Sequence, residues 1–447
     1  MPYTKPRLLR GFRDHFGPAM EQRQRVLDKI RAVLNSYGFQ PLETPALEYQ
    51  DIISPHSDQS EKLFYGFTDH GKREVALKYD LTVPTARFAA MNWETLPQPF
   101  RRYQNQSVWR ADRPGAGRYR EFQQFDFDTY GSASVLYDAE ILLVIEECLR
   151  TLEFDQFTIR LNDRRVLTGL LQGAEIEPDR HVAALRSLDK LNKIGVEGVR
   201  QELEAGSFAP VIVNRLLSFL MEIDGLSSES LLPQLEAHFR ANEINVGLEG
   251  VDALLTILKT VDAAGMRRGV VQLWPVLARG LDYYTGPIHE VIVHDAAVGS
   301  VCGGGRYDNL FEKFSERSVP ATGTSLGIER LLDVLSGSNG FENGSPTKVL
   351  ICATDQVGMV AGLQLSRQIR EVGLSAEVYL DNASLKKQLR YADLRRIPLV
   401  VLMPRSGDEV TDQIIVKDMQ TGQQESVTPL CLANYIADTL RQKRGDK

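Results

Sequence analysis

Cysteine is scarce in this chain. Cys148, Cys302, Cys352 and Cys431 are its only four in 447 residues, and no two of them form a CxxC pair. The seven histidines show no HExxH or HxxxH spacing. These absences argue against a zinc site and a disulfide framework, so no metal held by the protein's own side chains is expected and a reducing cytosol is the default compartment. No apolar run is long enough to span a bilayer, and the opening MPYTKPRLLRGFRDHFGP has no apolar core of signal-peptide length. A cytoplasmic protein without membrane segments is therefore expected. The GxxxxGK[ST] phosphate loop is missing, as is a G-x-G-x-x-G in Rossmann context, which excludes the two commonest nucleotide signatures. No solenoid repeat or low-complexity tract interrupts the chain.

What remains is an ordinary globular composition, 43% hydrophobic and 25% charged, with a net charge of -7. The chain exceeds the roughly 250–300 residues at which one core stops growing, so two or three domains are expected. The stretch SGSNGFENGSPT, residues 336–347, reads as a linker. Beyond it, in 348–447, KVLICAT, SAEVYL and IPLVVLM read as strands alternating with the helices GMVAGLQLSRQIREVG and SLKKQLRYADLR, the pattern of a small α/β domain. From 167 to 266 the periodicity is helical throughout, as in LLSFLMEI and VDALLTILKTVDAAG, which predicts an inserted helical segment. Residues 1–166 and 267–335 then form one divided core with mixed strands and helices.

That core holds the unusual residue clusters. In SVWRADRPGAGRYREFQQFDFD, residues 107–128, four arginines (Arg110, Arg113, Arg118 and Arg120) crowd around two glycines. Like charges so close repel, and an anion placed among them removes the repulsion. Screening confines such a patch to roughly 8–10 Å, so the acidic net charge does not exclude RNA or nucleotides. YQNQSVWR and YREFQQFDFD fit two strands of a hairpin with ADRPGAG as its loop. Side chains alternate along a strand, so Phe122, Gln124, Asp126 and Asp128 share one face while Phe125 and Phe127 point the other way. Unpartnered buried amides and carboxylates cost on the order of 1–3 kcal/mol each. The polar face therefore meets either a polar ligand or, at a sheet edge, solvent.

Three further segments carry candidates. LARGLDYYTGPIHEVIV places Arg279 beside Gly280, then Asp282, Tyr283 and Tyr284 ahead of a strand. Glycine permits close approach, and the guanidinium fork suits phosphate or carboxylate. In SVCGGGRYDNL three glycines precede Arg306, Tyr307 and Asp308, a run that reads first as a tight turn. ATGTSLGIERLLDVL places Arg330 near the start of an apolar-periodic helix, where it could stack on a purine or pair with a carboxylate.

Taken together, these segments resemble the class II aminoacyl-tRNA synthetases, and within them the histidyl-tRNA synthetase family, over nearly the whole chain. YGFQPLETPALE looks like motif 1 with Pro45, VWRADRPGAGRYREFQQFDFD like motif 2 and GTSLGIERL like motif 3; RGLDYYTG with GGGRYD is the histidine-specific signal. The resemblance implies an α/β chain overall: an antiparallel class II synthetase sheet flanked by helices, a helical insertion and a C-terminal α/β anticodon-binding domain. It implies ATP with Mg²⁺, L-histidine and tRNA(His) as partners, and a homodimer through the motif 1 region.

Residue by residue, it implies Arg110 and Arg279 as catalytic groups, with Arg110 on the α-phosphate and substrate carboxylate and Arg279 on the reacting phosphate. Arg118 and Arg330 join Arg110 in holding ATP, Arg330 on the adenine face. Asp80, Thr82 and Gln124 surround the substrate ammonium, and Asp128, Tyr283, Tyr284 and Tyr307 belong to the histidine pocket. Arg113, Lys386, Lys387 and Arg390 face tRNA. Asp80 and Asp128 stand where many bacterial members have glutamate, and His289 where an aromatic or aliphatic residue is more usual. The rival reading is the synthetase-like, histidine-sensing regulatory subunit of ATP phosphoribosyltransferase, which lacks the anticodon domain and tends to lose the motif arginines; a second is a binding-only, tRNA-sensing relative.

Overall fold

The computed structural model describes residues 3–53, 64–115, 118–278, 283–294, 296, 298–337, 345–405 and 413–445. The chain divides into two compact units, Met1–Asp14 with Arg23–Asn339 and His15–Gln22 with Gly340–Lys447.

The larger unit is organised by an eight-stranded sheet. Its strands run in the order Gln40–Pro41, Phe100–Trp109, Glu121–Tyr130, Ala321–Gly327, Cys302–Arg306, Pro287–Val293, Phe157–Asp163 and Val271–Leu273. Neighbouring pairs are antiparallel except at the two ends, where Gln40–Pro41 and Val271–Leu273 pair in parallel. The hairpin strand Glu121–Tyr130 is thus third in the sheet with a partner on each side, which removes the solvated-edge reading of its polar face. Its other face is core: Phe125 and Phe127 are fully buried and pack on Tyr103 and Phe39.

The glycine run expected to turn is instead the strand Cys302–Arg306, inside the sheet. Packing explains the difference. A Cβ on Gly304 would lie 2.1 Å from the Gly323 carbonyl oxygen, so only glycine lets these strands approach. Arg306, which ends the strand, is buried against Asp138 and the carbonyls of Ser132 and Ser134.

Between Phe157–Asp163 and Val271–Leu273 the chain is helical, in Arg164–Gly173, His181–Leu188, Leu191–Ala205, Pro210–Ile223, Ser228–Ala241 and Asn245–Ala263. Asp163 opens the first of these by accepting the Arg165 N–H at 2.8 Å, the usual carboxylate cap. After Ala321–Gly327 the helix Ile328–Gly337 takes in Ser336 and Gly337 of the linker segment; residues 338–344 of that segment lie outside the described residues.

The end of the motif 1 segment, Leu47 and Glu48, enters a small antiparallel sheet of Leu47–Tyr49, Gly66–Thr68 and Glu74–Leu77. Period-two alternation buries Glu48, which pairs with Arg87 at 2.5 Å, and leaves Leu47 and Tyr49 exposed on the opposite face.

The smaller unit has a five-stranded sheet in the order Ala376–Val378, Val349–Cys352, Leu399–Leu402, Ile414–Asp418, Gln424–Val427. The first three strands are parallel and the rest antiparallel. Its helices include Gln356–Glu371 and Leu385–Leu394. Among the described residues, no helix is long and apolar enough to cross a membrane.

Candidate active site

The hairpin register assembles a polar floor. Arg102 pairs with Asp128, Gln104 with Asp126 and Gln106 with Gln124, and residues directly opposite in an antiparallel pair point to the same face. On the other side Ala321–Gly327 brings Gly323 opposite Asp128, Ser325 opposite Asp126 and Gly327 opposite Gln124. A Cβ on Gly323 would fall 1.9 Å from Asp128 Oδ1, so the glycine makes room for the carboxylate.

Asp128 is committed within the fold. One oxygen faces the buried Arg102 guanidinium at 2.6 Å, and the other accepts a hydrogen bond from Tyr307, whose hydroxyl also lies 3.1 Å from that of Tyr130. Burial raises the Asp128 carboxyl, opposed by Arg102 and the Tyr307 hydrogen bond. Tyr283 lies tilted against Tyr284, with centroids 4.5 Å apart, and meets Tyr307 edge-on. Burial pushes all three phenols above their ordinary range, so they act as neutral hydrogen-bonding groups at neutral pH. Asp80 is buried and accepts the Val83 N–H at 3.2 Å at the start of the helix Thr82–Asn92. Burial raises its carboxyl too, with Arg110 and Arg102 among the cations pulling the other way.

Above this floor is a cleft of about 860 Å³. Arg110, Arg118, Gln124, Tyr283, Tyr284 and Arg330 line it together. Arg110 leaves the end of the hairpin's first strand, donates from Nε to the Tyr79 carbonyl at 2.9 Å, and holds its guanidinium carbon 5.1 Å from the Phe122 ring centroid. Arg330 stands in the first turn of Ile328–Gly337 and donates to the Ser300 carbonyl. A cavity of about 930 Å³ elsewhere in this unit is walled mainly by the helical segment and contains none of the predicted site residues.

Of the remaining sequence-predicted residues, Asp80, Asp128 and Tyr307 are buried, and Thr82 is half-buried at its helix start. Arg113 is exposed on the hairpin loop. Lys386, Lys387 and Arg390 are exposed on Leu385–Leu394 in the smaller unit, whose Leu385, Leu389 and Ala392 pack inward. Arg279 lies outside the described residues.

Sequence reasoning missed three parts of the machinery. Arg102 is one; its signal was the spacing Arg102, Gln104, Gln106 mirrored across the loop by Gln124, Asp126, Asp128. Glu329 is the second: Arg13 and Arg23 both pair with it, and it reaches the Gln123 N–H. Burial would raise its carboxyl, but the Arg23 hydrogen bond and both arginine charges hold it below the usual range. Glu329 thereby fixes the turn that carries Arg330 against the hairpin. The third is Tyr119, whose ring carries the Arg13 guanidinium 3.3 Å from its centroid.

An antiparallel core whose arginines come from a hairpin loop and from the helix after the last strand falls among the class II aminoacyl-tRNA synthetases. Similarity to known proteins narrows the class. Residues 11–331 match the family model for histidyl-tRNA synthetase, and residues 348–439 that for an anticodon binding domain. The histidine–tRNA ligase of Cytophaga hutchinsonii is 37% identical over 450 residues, 95% of this chain and 98% of its own length. That of Rhodopirellula baltica is 38% identical over 427 residues, 95% of each chain. The solved histidyl-tRNA synthetase from Nostoc sp. superposes with a TM-score of 0.84 at 30% identity, covering 98% of this chain and all of that one. The chain belongs to the histidyl-tRNA synthetase family. A Bacillus halodurans structure described as an ATP phosphoribosyltransferase regulatory subunit/histidyl-tRNA synthetase has the same fold, with a TM-score of 0.76 at 20% identity over 91% of this chain.

Proposed function

We propose that this enzyme joins L-histidine to the 3′ end of tRNA(His) through a histidyl-adenylate, releasing pyrophosphate and then AMP. The observation that carries the reading is the meeting of Arg110, Arg118 and Arg330 in one cleft with Gln124, Tyr283 and Tyr284. In the first step a carboxylate oxygen of histidine attacks the α-phosphorus of ATP. A new P–O bond forms as the bond to pyrophosphate breaks, and the electron pair leaves with pyrophosphate. The attacking carboxylate is already ionised at neutral pH, so no general base is required. What the step needs is in-line alignment and charge neutralisation. Arg110 supplies both at the α-phosphate, and Arg330 holds the nucleotide. Arg279 takes the same task by its motif. In the second step a ribose hydroxyl of tRNA attacks the acyl carbon and AMP leaves.

Mg²⁺ enters with ATP as substrate. It keeps several waters and takes one or two carboxylates alongside phosphates, and Asp112 and Glu290 on the cleft wall could meet that hydrated ion. Gln124 has a buried, unpartnered Oε1 that suits the substrate ammonium. A pocket that hydrogen-bonds an imidazole rejects side chains lacking those groups by about 10⁴–10⁵, enough to dispense with editing. We assign the core to 1–166 with 267–335, the insertion to 167–266, the linker to 336–347 and the anticodon-binding domain to 348–447. The assembly we propose is a homodimer through the motif 1 region, and the compartment is the cytoplasm.

The test is histidine-dependent exchange of labelled pyrophosphate into ATP. A histidine sensor binds its ligand without exchange, so absence of exchange with Mg²⁺ and ATP removes the enzymatic reading. Arg110→Ala is expected to slow exchange by at least a hundredfold with the melting temperature retained. Near-normal turnover would withdraw Arg110 from the α-phosphate.

A further inference from the structure

Residues 11–13 belong to no helix or strand, yet they reach the neighbours of Arg110, Arg118 and Arg330, which line the cleft together. The Gly11 carbonyl accepts the Arg120 N–H at 2.8 Å, and the Arg120 carbonyl in turn accepts the Arg110 N–H at 2.8 Å. Two residues on, the Arg13 guanidinium lies over the Tyr119 ring, 3.3 Å from its centroid, and pairs with Glu329. Tyr119 follows Arg118 in the chain, and Glu329 precedes Arg330. Both Tyr119 and Glu329 line the cleft. A single side chain from the N-terminal segment thus bridges the hairpin loop to the helix Ile328–Gly337, the elements that carry Arg118 and Arg330.

We infer that Arg13 is a positioning residue of the nucleotide site, holding the loop arginine Arg118 and the helix arginine Arg330 at a fixed separation across the bound nucleotide. This rests on ATP being the substrate, as proposed above. Cations that must close on one anion repel each other until it arrives, and ordering long side chains at that moment costs affinity; a brace already in place lowers the cost. A guanidinium suits the brace. Its planar face stacks on the Tyr119 ring while its edge keeps N–H groups for the Glu329 carboxylate, whereas an ammonium is a point charge. Glu329 does not depend on Arg13 for its partners: Arg23 donates to both of its oxygens, and the Gln123 N–H reaches it at 3.4 Å. Removing Arg13 therefore leaves no buried carboxylate unpaired, and the loss falls on the link between loop and helix.

The experiment is a double-mutant cycle on the full chain, with ATP (in Mg²⁺) and L-histidine titrated separately by calorimetry into Arg13→Met, Arg13→Lys, Tyr119→Leu and the Arg13→Met, Tyr119→Leu double variant. Arg13→Met is expected to weaken ATP about tenfold, to leave L-histidine within about threefold, and to keep the melting temperature near that of the parent. Arg13→Lys keeps the charge beside Glu329 without the planar stack, so it should restore ATP binding only in part. With Tyr119→Leu already present, Arg13→Met should cost less than about threefold, because the bridge has lost one end. Unchanged ATP affinity in folded Arg13→Met overturns the inference. So does equal loss for ATP and L-histidine, complete rescue by Arg13→Lys, or a double variant whose loss is the product of the single losses. Should Arg13→Met not fold, Arg13→Lys and Tyr119→Leu carry the same contrast between ATP and L-histidine. Pyrophosphate exchange is scored separately: ATP binding with the expected coupling but without exchange in the parent defeats the ligase reading and leaves Arg13 in place, while a parent that binds no ATP overturns both.

Discussion

Burial moves two side chains of this sheet in opposite directions. Asp126 is raised to about 7, while the imidazole of His289, buried and 2.9 Å from Thr324 Oγ1, is lowered to about 3. The same desolvation acts in both cases by disfavouring the charged form. The consequences for stability also oppose each other. His289 binds its proton more readily in the unfolded chain, so its contribution is intact above about pH 6.5 and is lost as pH falls toward about 3. Asp126 binds its proton more readily in the folded chain, so its contribution is present below about pH 4 and is lost as pH rises through about 7. His289→Gln is therefore expected to flatten the loss of stability between about pH 6.5 and 4, where one such group contributes up to about 1.4 kcal/mol per pH unit. Denaturant titrations at half-unit steps would measure it, and parallel curves for variant and parent would exclude His289 as a source of acid sensitivity. From its place in the chain His289 suggested no role. Its neutrality comes from the strands on either side of it.

Among elements, the spacing in SLKKQLRYADLR separates the two faces of the helix Leu385–Leu394. Leu385, Leu389 and Ala392 recur at helical spacing and pack inward, and Gln388 donates to the Ala353 and Ala383 carbonyls. Lys386, Lys387 and Arg390 remain exposed, available for RNA phosphates and a salt-dependent contribution to affinity. Lys386→Ala with Lys387→Ala should weaken tRNA charging about tenfold, more steeply as salt is raised, with exchange of pyrophosphate unchanged. An equal fall in both reactions would mean a damaged fold rather than a lost RNA contact. The hairpin was equally legible, because alternation over Phe122–Asp128 separates Phe125 and Phe127 from the polar face. The glycine run was not: three glycines suit a turn by their own conformational freedom, and only the approach of Ala321–Gly327 makes them a strand.

At the scale of the whole molecule, the motif 1 region carries the next inference. Leu47, Tyr49 and Phe67 stand on one face of its small sheet, with Tyr49 at 53% and Phe67 at 46% exposure, while the opposite face holds the Glu48–Arg87 pair. Exposed apolar residues gathered on one sheet face favour a protein partner, and a second copy is the partner proposed here. Tyr49→Asp combined with Phe67→Asp should halve the sedimenting mass. An unchanged mass, or a parent protein that is already monomeric, would reject this face as the dimer contact.

The sequence by itself determined the class and the family, the alternation of the hairpin and the identities of Arg110, Arg118 and Arg330, because these are carried by short motifs and by local periods of two and 3.6 residues. Tertiary structure alone decided that Arg102 takes Asp128, that Glu329 binds Arg13 and Arg23, and that Asp126 is left with an unused oxygen. The reason is physical. Which buried charges meet depends on the register between strands as far apart in the chain as Glu121–Tyr130 and Ala321–Gly327, and their protonation depends on how completely those strands exclude water.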